Sequence, residues 1–142
     1  MEMQLARLLK KRVEAVTPET RLTVVAQKMI AQRTNALPVC REGKLVGALS
    51  VRDLIWRTTS EGRDPTLATV SEVMNQKVVR CFGDDDSREA IRVMRKKRVT
   101  QIWVTTRKGE FLGTLSLGDL PPIGAAEKSR GVPDEESLNK TE

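Results

Sequence analysis

The chain repeats itself. Gly47-Ala48-Leu49-Ser50-Val51-Arg52-Asp53-Leu54 returns, 66 positions on, as Gly113-Thr114-Leu115-Ser116-Leu117-Gly118-Asp119-Leu120. Upstream the same comparison holds at a shift of 65, which sets Val13 against Val78, Met29 against Met94 and Val39 against Val104. The one-residue insertion falls between Val104 and Gly109, in a predicted turn, where a change of length costs little. A duplicated chain of 142 residues can be one domain or two half-size units that share a core. A lone unit of roughly fifty residues buries too little apolar surface to stand comfortably alone.

Each unit reads strand, helix, strand, strand, helix. In the first, Val13–Thr17 is an expected strand, broken by Pro18, with Thr20 as the expected helix cap. The helix is predicted over Leu22–Gln32, with Leu22, Val25, Ala26, Met29 and Ile30 as its apolar stripe. Strands follow at Ala36–Cys40 and Leu45–Leu49, joined by the turn Arg41-Glu42-Gly43-Lys44. Ser50 opens a second helix over Val51–Thr58, with Leu54 and Ile55 inward. The second unit repeats the order with Val78–Phe82, Ser87–Lys97, Gln101–Val104 and Phe111–Leu115. Its buried helix side is predicted as Ala90, Ile91, Val93 and Met94, and its last helix is cut short by Pro121-Pro122.

Two short amphipathic segments precede the units, residues 4–12 and Val70–Met74. The expected division is 1–58 for the first segment and unit, 59–69 for a linker, 70–121 for the second unit, and 122–142 for a polar tail expected to be disordered.

Composition narrows the function. The chain has no His and no Tyr, which removes His-based triads and imidazole metal ligands. Two cysteines, Cys40 and Cys81, make neither a disulfide framework nor a zinc site, and both are expected as reduced, at least partly buried thiols. No apolar run approaches the roughly 20 residues that span a bilayer. The start shows no secretion signal, so a cytoplasmic protein with no membrane partner is expected. After Leu120 five acids meet three bases, a balance of −2, so residues 1–120 carry +8 of the overall +6. That balance predicts an anionic partner, a phosphorylated small molecule or a nucleic acid. Aromatic residues at 3% argue against a base-stacking platform and so against nucleic acid.

Ser50 and Asp53 open a helix, where free amides attract phosphate. A Ser hydroxyl adds a donor to a phosphate oxygen, and a carboxylate three residues on accepts from the cis-diol of a ribose. Ser-x-x-Asp is equally a capping box that needs no ligand. Both readings stand on sequence alone. The run Arg95-Lys96-Lys97-Arg98 is a solvated helix end, the rim of a phosphate-binding cleft or, as a third choice, a nucleic-acid surface. Trp56 is either a core residue or an interface anchor.

Taken together, two Gly-h-h-Ser-x-x-Asp-Leu endings (h hydrophobic), Ala36-Leu37-Pro38-Val39 before a Gly-Lys-Leu-Val-Gly hairpin, and Val73-Met74 ahead of the second unit resemble the cystathionine-β-synthase (CBS) domain pair, or Bateman module. The resemblance covers residues 5 to 120. It implies an α/β (α+β) fold: a tandem CBS domain pair, two β-α-β-β-α units related by a pseudo-twofold axis, with two clefts between them. It implies frequent homodimers; separately, no nucleophile–base pair is visible in the residues, so no catalysis is expected. It also implies adenosine nucleotides (AMP, ADP, ATP) or S-adenosylmethionine as candidate ligands, with an unidentified effector protein as listener.

Carried over, the ligand site is Thr17, Ala36, Leu37, Pro38, Ser50, Arg52 and Asp53 in the first unit. In the second it is Phe82, Ile102, Trp103, Ser116 and Asp119. The second unit departs from the pattern: Phe82 and Gly83 replace Thr17 and Pro18, Trp103 replaces Pro38, and Gly118 replaces Arg52. The expected function is a regulatory sensor. The alternatives are a ligand-free scaffold of the same fold, or a nucleic-acid binder using the basic surface.

Overall fold

A computed structural model describes residues 3–9 and 13–120. The expected tail and the Pro121-Pro122 break lie outside the described residues, as does the end of the 4–12 segment.

In the first unit, helix α1 spans Leu22–Gln32. Strands β1 (Ala36–Arg41) and β2 (Lys44–Ser50) form an antiparallel hairpin, and helix α2 covers Val51–Thr59. The expected strand at Val13–Thr17 shrinks to one parallel bridge, Val16 to Val39. There the Val16 N–H donates to the Pro38 carbonyl (3.0 Å) and the Cys40 N–H donates to the Val16 carbonyl (2.8 Å). A short helix α3 (Val70–Val73) follows.

The second unit holds β3 (Arg80–Phe82), α4 (Ser87–Lys97), β4 (Gln101–Thr105) and β5 (Phe111–Ser116), then one 3₁₀ turn at Leu117–Asp119. Its sheet runs β3-β4-β5, with β3 parallel and β5 antiparallel to β4. Both hairpins slip register at the same repeat position, Val39/Cys40 and Val104/Thr105. The duplication therefore reaches down to the irregularities of the sheets.

Helix α1 ends on Arg33 and α4 on Arg98, both left-handed, which stops each helix within one residue. Their starts differ. Asp86 caps α4 by accepting from the Glu89 N–H at 3.0 Å. The cap position of α1 is Arg21, without a side-chain bond. Thr20, the expected cap, instead closes a turn by accepting the Thr17 N–H at 3.1 Å.

In place of the expected shared core, two hydrophobic cores form, one per unit, and each borrows a segment from elsewhere in the chain. The first core gathers Leu22, Val25, Met29, Leu37, Val39 and Leu49, together with Val70 and Val73 of α3. The second gathers Cys81, Ala90, Met94, Ile102, Val104 and Leu115, together with Leu5 and Leu8 from the chain start. The 3₁₀ turn Leu5–Arg7 is tied to the second unit by backbone bonds from Leu5 to Asp85 (2.9 Å) and Ala6 to Gly83 (3.0 Å).

The repeated glycines serve this exchange. A Cβ on Gly47 would stand 3.0 Å from the Asn75 carbonyl oxygen, and one on Gly113 would stand 3.2 Å from Leu9 Cδ2. Each motif glycine thus makes room for the segment that leads toward the other unit.

Several expected core positions are exposed. Ile30 is 78% and Ile55 55% accessible, and Ala26 also faces solvent. Ile91 and Val93 are half-buried. Trp56 is 63% exposed, which excludes the core reading. Cys40 and Cys81 are free and buried. Burial pushes the Cys40 thiol up in pKa, and burial with the nearby Asp85 and Glu89 charges pushes Cys81 up to about 11. Among the described residues no helix is long and apolar enough to cross a membrane.

Candidate functional site: the cleft between the units

The first motif ends β2 and starts α2, and its hydrogen bonds are closed. Asp53 Oδ2 accepts from the Ser50 N–H (2.9 Å) and from the Ser50 hydroxyl (3.0 Å). The Asp53 N–H in turn donates to Ser50 Oγ at 3.2 Å. This is a full capping box. The Val51 N–H is taken as well, by the Asn35 carbonyl at 2.9 Å. The serine hydroxyl, expected as a donor to phosphate, therefore donates to its own aspartate. Among the described residues Asp53 Oδ1 has no hydrogen-bond partner, so one carboxylate oxygen stays available.

The second motif copies this arrangement. Asp119 Oδ2 accepts from the Ser116 N–H (2.9 Å) and hydroxyl (3.0 Å), and the Leu117 N–H donates to the Thr100 carbonyl at 2.9 Å.

A cleft of about 420 Å³ opens in front of the first motif. The first unit lines it with Ala36, Ala48, Leu49, Ser50 and Asp53. The opposite wall comes from Asn75 and Lys77–Val79, and from Arg98–Gln101 with Trp103. Two cations, Lys77 and Arg98, thus share a cleft with the half-free carboxylate of Asp53. Arg98 gets there because the left-handed end of α4 turns the chain back toward β4. Trp103 is held edge-on by Phe111, with ring centres 6.1 Å apart and planes at 61°.

The expected site residues divide. Ala36, Ser50, Asp53 and Trp103 come together in this cleft. Leu37 and Ile102 do not, because strand alternation turns both side chains into the two cores, where they are fully buried. Pro38 is also buried, and its carbonyl is the partner of Val16. Arg52 lies off the cleft with its guanidinium 5.1 Å from the Trp56 ring centre. Thr17 is exposed and bonded to Thr20. Phe82 is held between the guanidiniums of Arg80 (5.2 Å) and Arg107 (4.2 Å). Ser116 and Asp119 are exposed in their own capping box.

Several lining residues carried no site signal in the sequence, Asn75, Lys77, Thr100 and Gln101 among them. Arg98 was marked only as part of a basic run, of which it is the one member that lines the cleft. Among the described residues no group of three or more His, Cys, Asp or Glu is placed to hold a metal ion.

A second opening, about 680 Å³, lies on the helical side of the first unit between α1 and α2. Met29, Ile30, Val51, Leu54 and Ile55 line it.

The fold has known counterparts. The family model for the CBS domain matches residues 5–57 and again 70–120, and the chain belongs to that family as a tandem pair. The CBS domain-containing protein YhcV of Bacillus subtilis is 29% identical over 119 residues, spanning 84% of both chains. Among solved structures, Hypoxic Response Protein I, with two coordinated zinc ions, superposes with a TM-score of 0.73 at 24% identity, covering 82% of this chain and 95% of its own. The CBS domain protein PAE2072 of Pyrobaculum aerophilum, complexed with AMP, gives 0.72 at 22% identity, covering 90% and 99%. At these identities the structural likeness is one of fold.

Proposed function

We propose that the chain is a non-catalytic regulatory module that binds an adenosine nucleotide in the cleft between its two CBS units. The observation that carries this reading is the meeting of Asp53, Lys77 and Arg98 in one cleft, with Asp53 Oδ1 left over from the cap. A carboxylate oxygen suits the cis-diol of a ribose. Two cations from the other wall suit its phosphate. The AMP complex of the Pyrobaculum protein supports the choice of ligand class. AMP, ADP, ATP and S-adenosylmethionine are the candidates.

The mechanism is a population shift. The motif belongs to the first unit and the cations belong to the segment leading into, and the helix end of, the second. A ligand that touches both favours the packing in which they stand closest, by as much as its affinity differs between packings. An effector protein would read that packing. The exposed apolar groove between α1 and α2 fits the homodimer that the family resemblance implies, and a cytoplasmic setting is part of the same reading.

One observation favours a second reading, a ligand-free scaffold: both Ser-x-x-Asp pairs are spent on capping boxes of their own turns. Calorimetry with the four candidate ligands at roughly 100 μM protein separates the two, because micromolar affinity gives a clear isotherm under those conditions. Heat with a nucleotide supports the sensor, and silence with all four supports the scaffold.

A further inference from the structure

Trp103 is 7% exposed, yet its indole N–H has no hydrogen-bond partner among the described residues. A buried Trp normally finds a partner for that donor. No side-chain nitrogen or oxygen among the described residues is both sealed from solvent and without a partner, so the indole nitrogen is not sealed from solvent. The opening that Trp103 lines is the cleft before the first motif. Phe111 fixes the ring from the edge, so the donor is presented by a side chain that does not swing away. The corresponding position of the first unit is Pro38, which offers no such donor.

We infer that the Trp103 indole N–H is a specificity-determining donor of the first cleft, placed to bond an acceptor nitrogen on a heteroaromatic base. The inference rests on the nucleotide reading and adds to it the group that tells a nucleotide from a plain sugar phosphate. The charged positions already have work. Asp53 suits the sugar, and Lys77 and Arg98 suit the phosphate. The Gln101 amide nitrogen is spent on Thr114 Oγ1 at 2.9 Å. Of the cleft's neutral donors, Asn75 is exposed and Thr100 and Gln101 are half-buried, so the indole is the buried one, set where a base would be covered.

The test compares AMP with ribose 5-phosphate, using the full chain and its Trp103→Phe variant. Phe keeps an aromatic ring against Phe111 and removes the donor. The inference predicts that AMP binding weakens about threefold to tenfold, the effect of one neutral hydrogen bond, while ribose 5-phosphate binds both proteins alike. In a Trp56→Phe background, where Trp103 is the sole indole, AMP should also shift the emission and ribose 5-phosphate should not. If AMP binds both proteins equally, the indole does not meet the base and the inference fails while the nucleotide reading stands. Equal weakening of both ligands assigns Trp103 to the shape of the cleft and also overturns it. If the unaltered chain binds neither compound, the nucleotide reading itself falls and takes this inference with it.

Discussion

Lys44 and Glu110 face each other as an antiparallel pair where the tips of the two hairpins meet. Two backbone bonds frame them: the Leu45 N–H donates to the Gly109 carbonyl (3.0 Å) and the Phe111 N–H to the Gly43 carbonyl (2.9 Å). Each bond is the other's image under the 66-residue repeat, so the pseudo-twofold axis passes between Lys44 and Glu110. Opposite charges directly across a strand pair are mildly stabilising, and like charges are not. Lys44→Glu should therefore lower stability by about 0.5 kcal/mol, read by urea unfolding. Adding Glu110→Lys should restore it. A double variant that is worse than the single would show that the pair is not felt across the axis.

Gly47 and Gly113 tie the units together by their smallness. The Asn75 N–H donates to the Ala48 carbonyl (2.8 Å) and the Ala48 N–H donates back (3.0 Å), directly beside Gly47. Gly47→Val forces that backbone away and should cost about 1–3 kcal/mol. Gly113→Val meets the flexible tip of Leu9 instead and should cost less. Thermal unfolding of the two variants checks the order.

Cys81 makes stability fall in alkali. Its thiol is held up at about 11, above the ordinary thiol range, because burial and the Asp85 and Glu89 charges disfavour the thiolate. The unfolded chain loses this proton first. Between the ordinary thiol pKa and about 11 the folded state thus binds more protons than the unfolded one, and stability drops as pH rises, by at most about 1.4 kcal/mol per pH unit. Val16 occupies the equivalent position in the first unit, so Cys81→Val is the fitting control. The variant should show a shallower decline between pH 9 and 11; an identical decline would assign it to other groups.

Helix boundaries were legible in the sequence because their causes are local. Leu22–Gln32 and Ser87–Lys97 appear where the apolar period and the breaking residues put them. The direction each stripe faces was less legible. Ile30 and Ile55 fit the period but lie on the open groove, since period alone fixes a face and not what covers it. The crossing of the first leucines onto the far core has no local signature at all. In the cleft, Ser50 and Asp53 announce themselves by repetition. Lys77 and Gln101 do not, because their role comes from the facing of two units about the axis, a relation between distant segments. Leu37 and Ile102 show the converse: a position inside a site strand can still turn its side chain into the core.

Asp53 has two tasks, and substitution separates them. Asp53→Ala removes the carboxylate of the capping box and should cost about 0.5–1 kcal/mol of stability. Asp53→Asn keeps one acceptor oxygen but loses the charge, so it should cost less stability. Both should weaken AMP binding about tenfold to a hundredfold, the range for charged hydrogen bonds. Calorimetry beside urea unfolding reads the two effects independently. Lost stability with unchanged affinity would leave Asp53 a cap and nothing more.

The most direct test of the nucleotide reading is a crystal structure of the chain grown with AMP. The account predicts density in the cleft between the units, with the ribose hydroxyls on Asp53 Oδ1, the phosphate against Lys77 and Arg98, and the base beside Trp103. An empty cleft at millimolar AMP would contradict it.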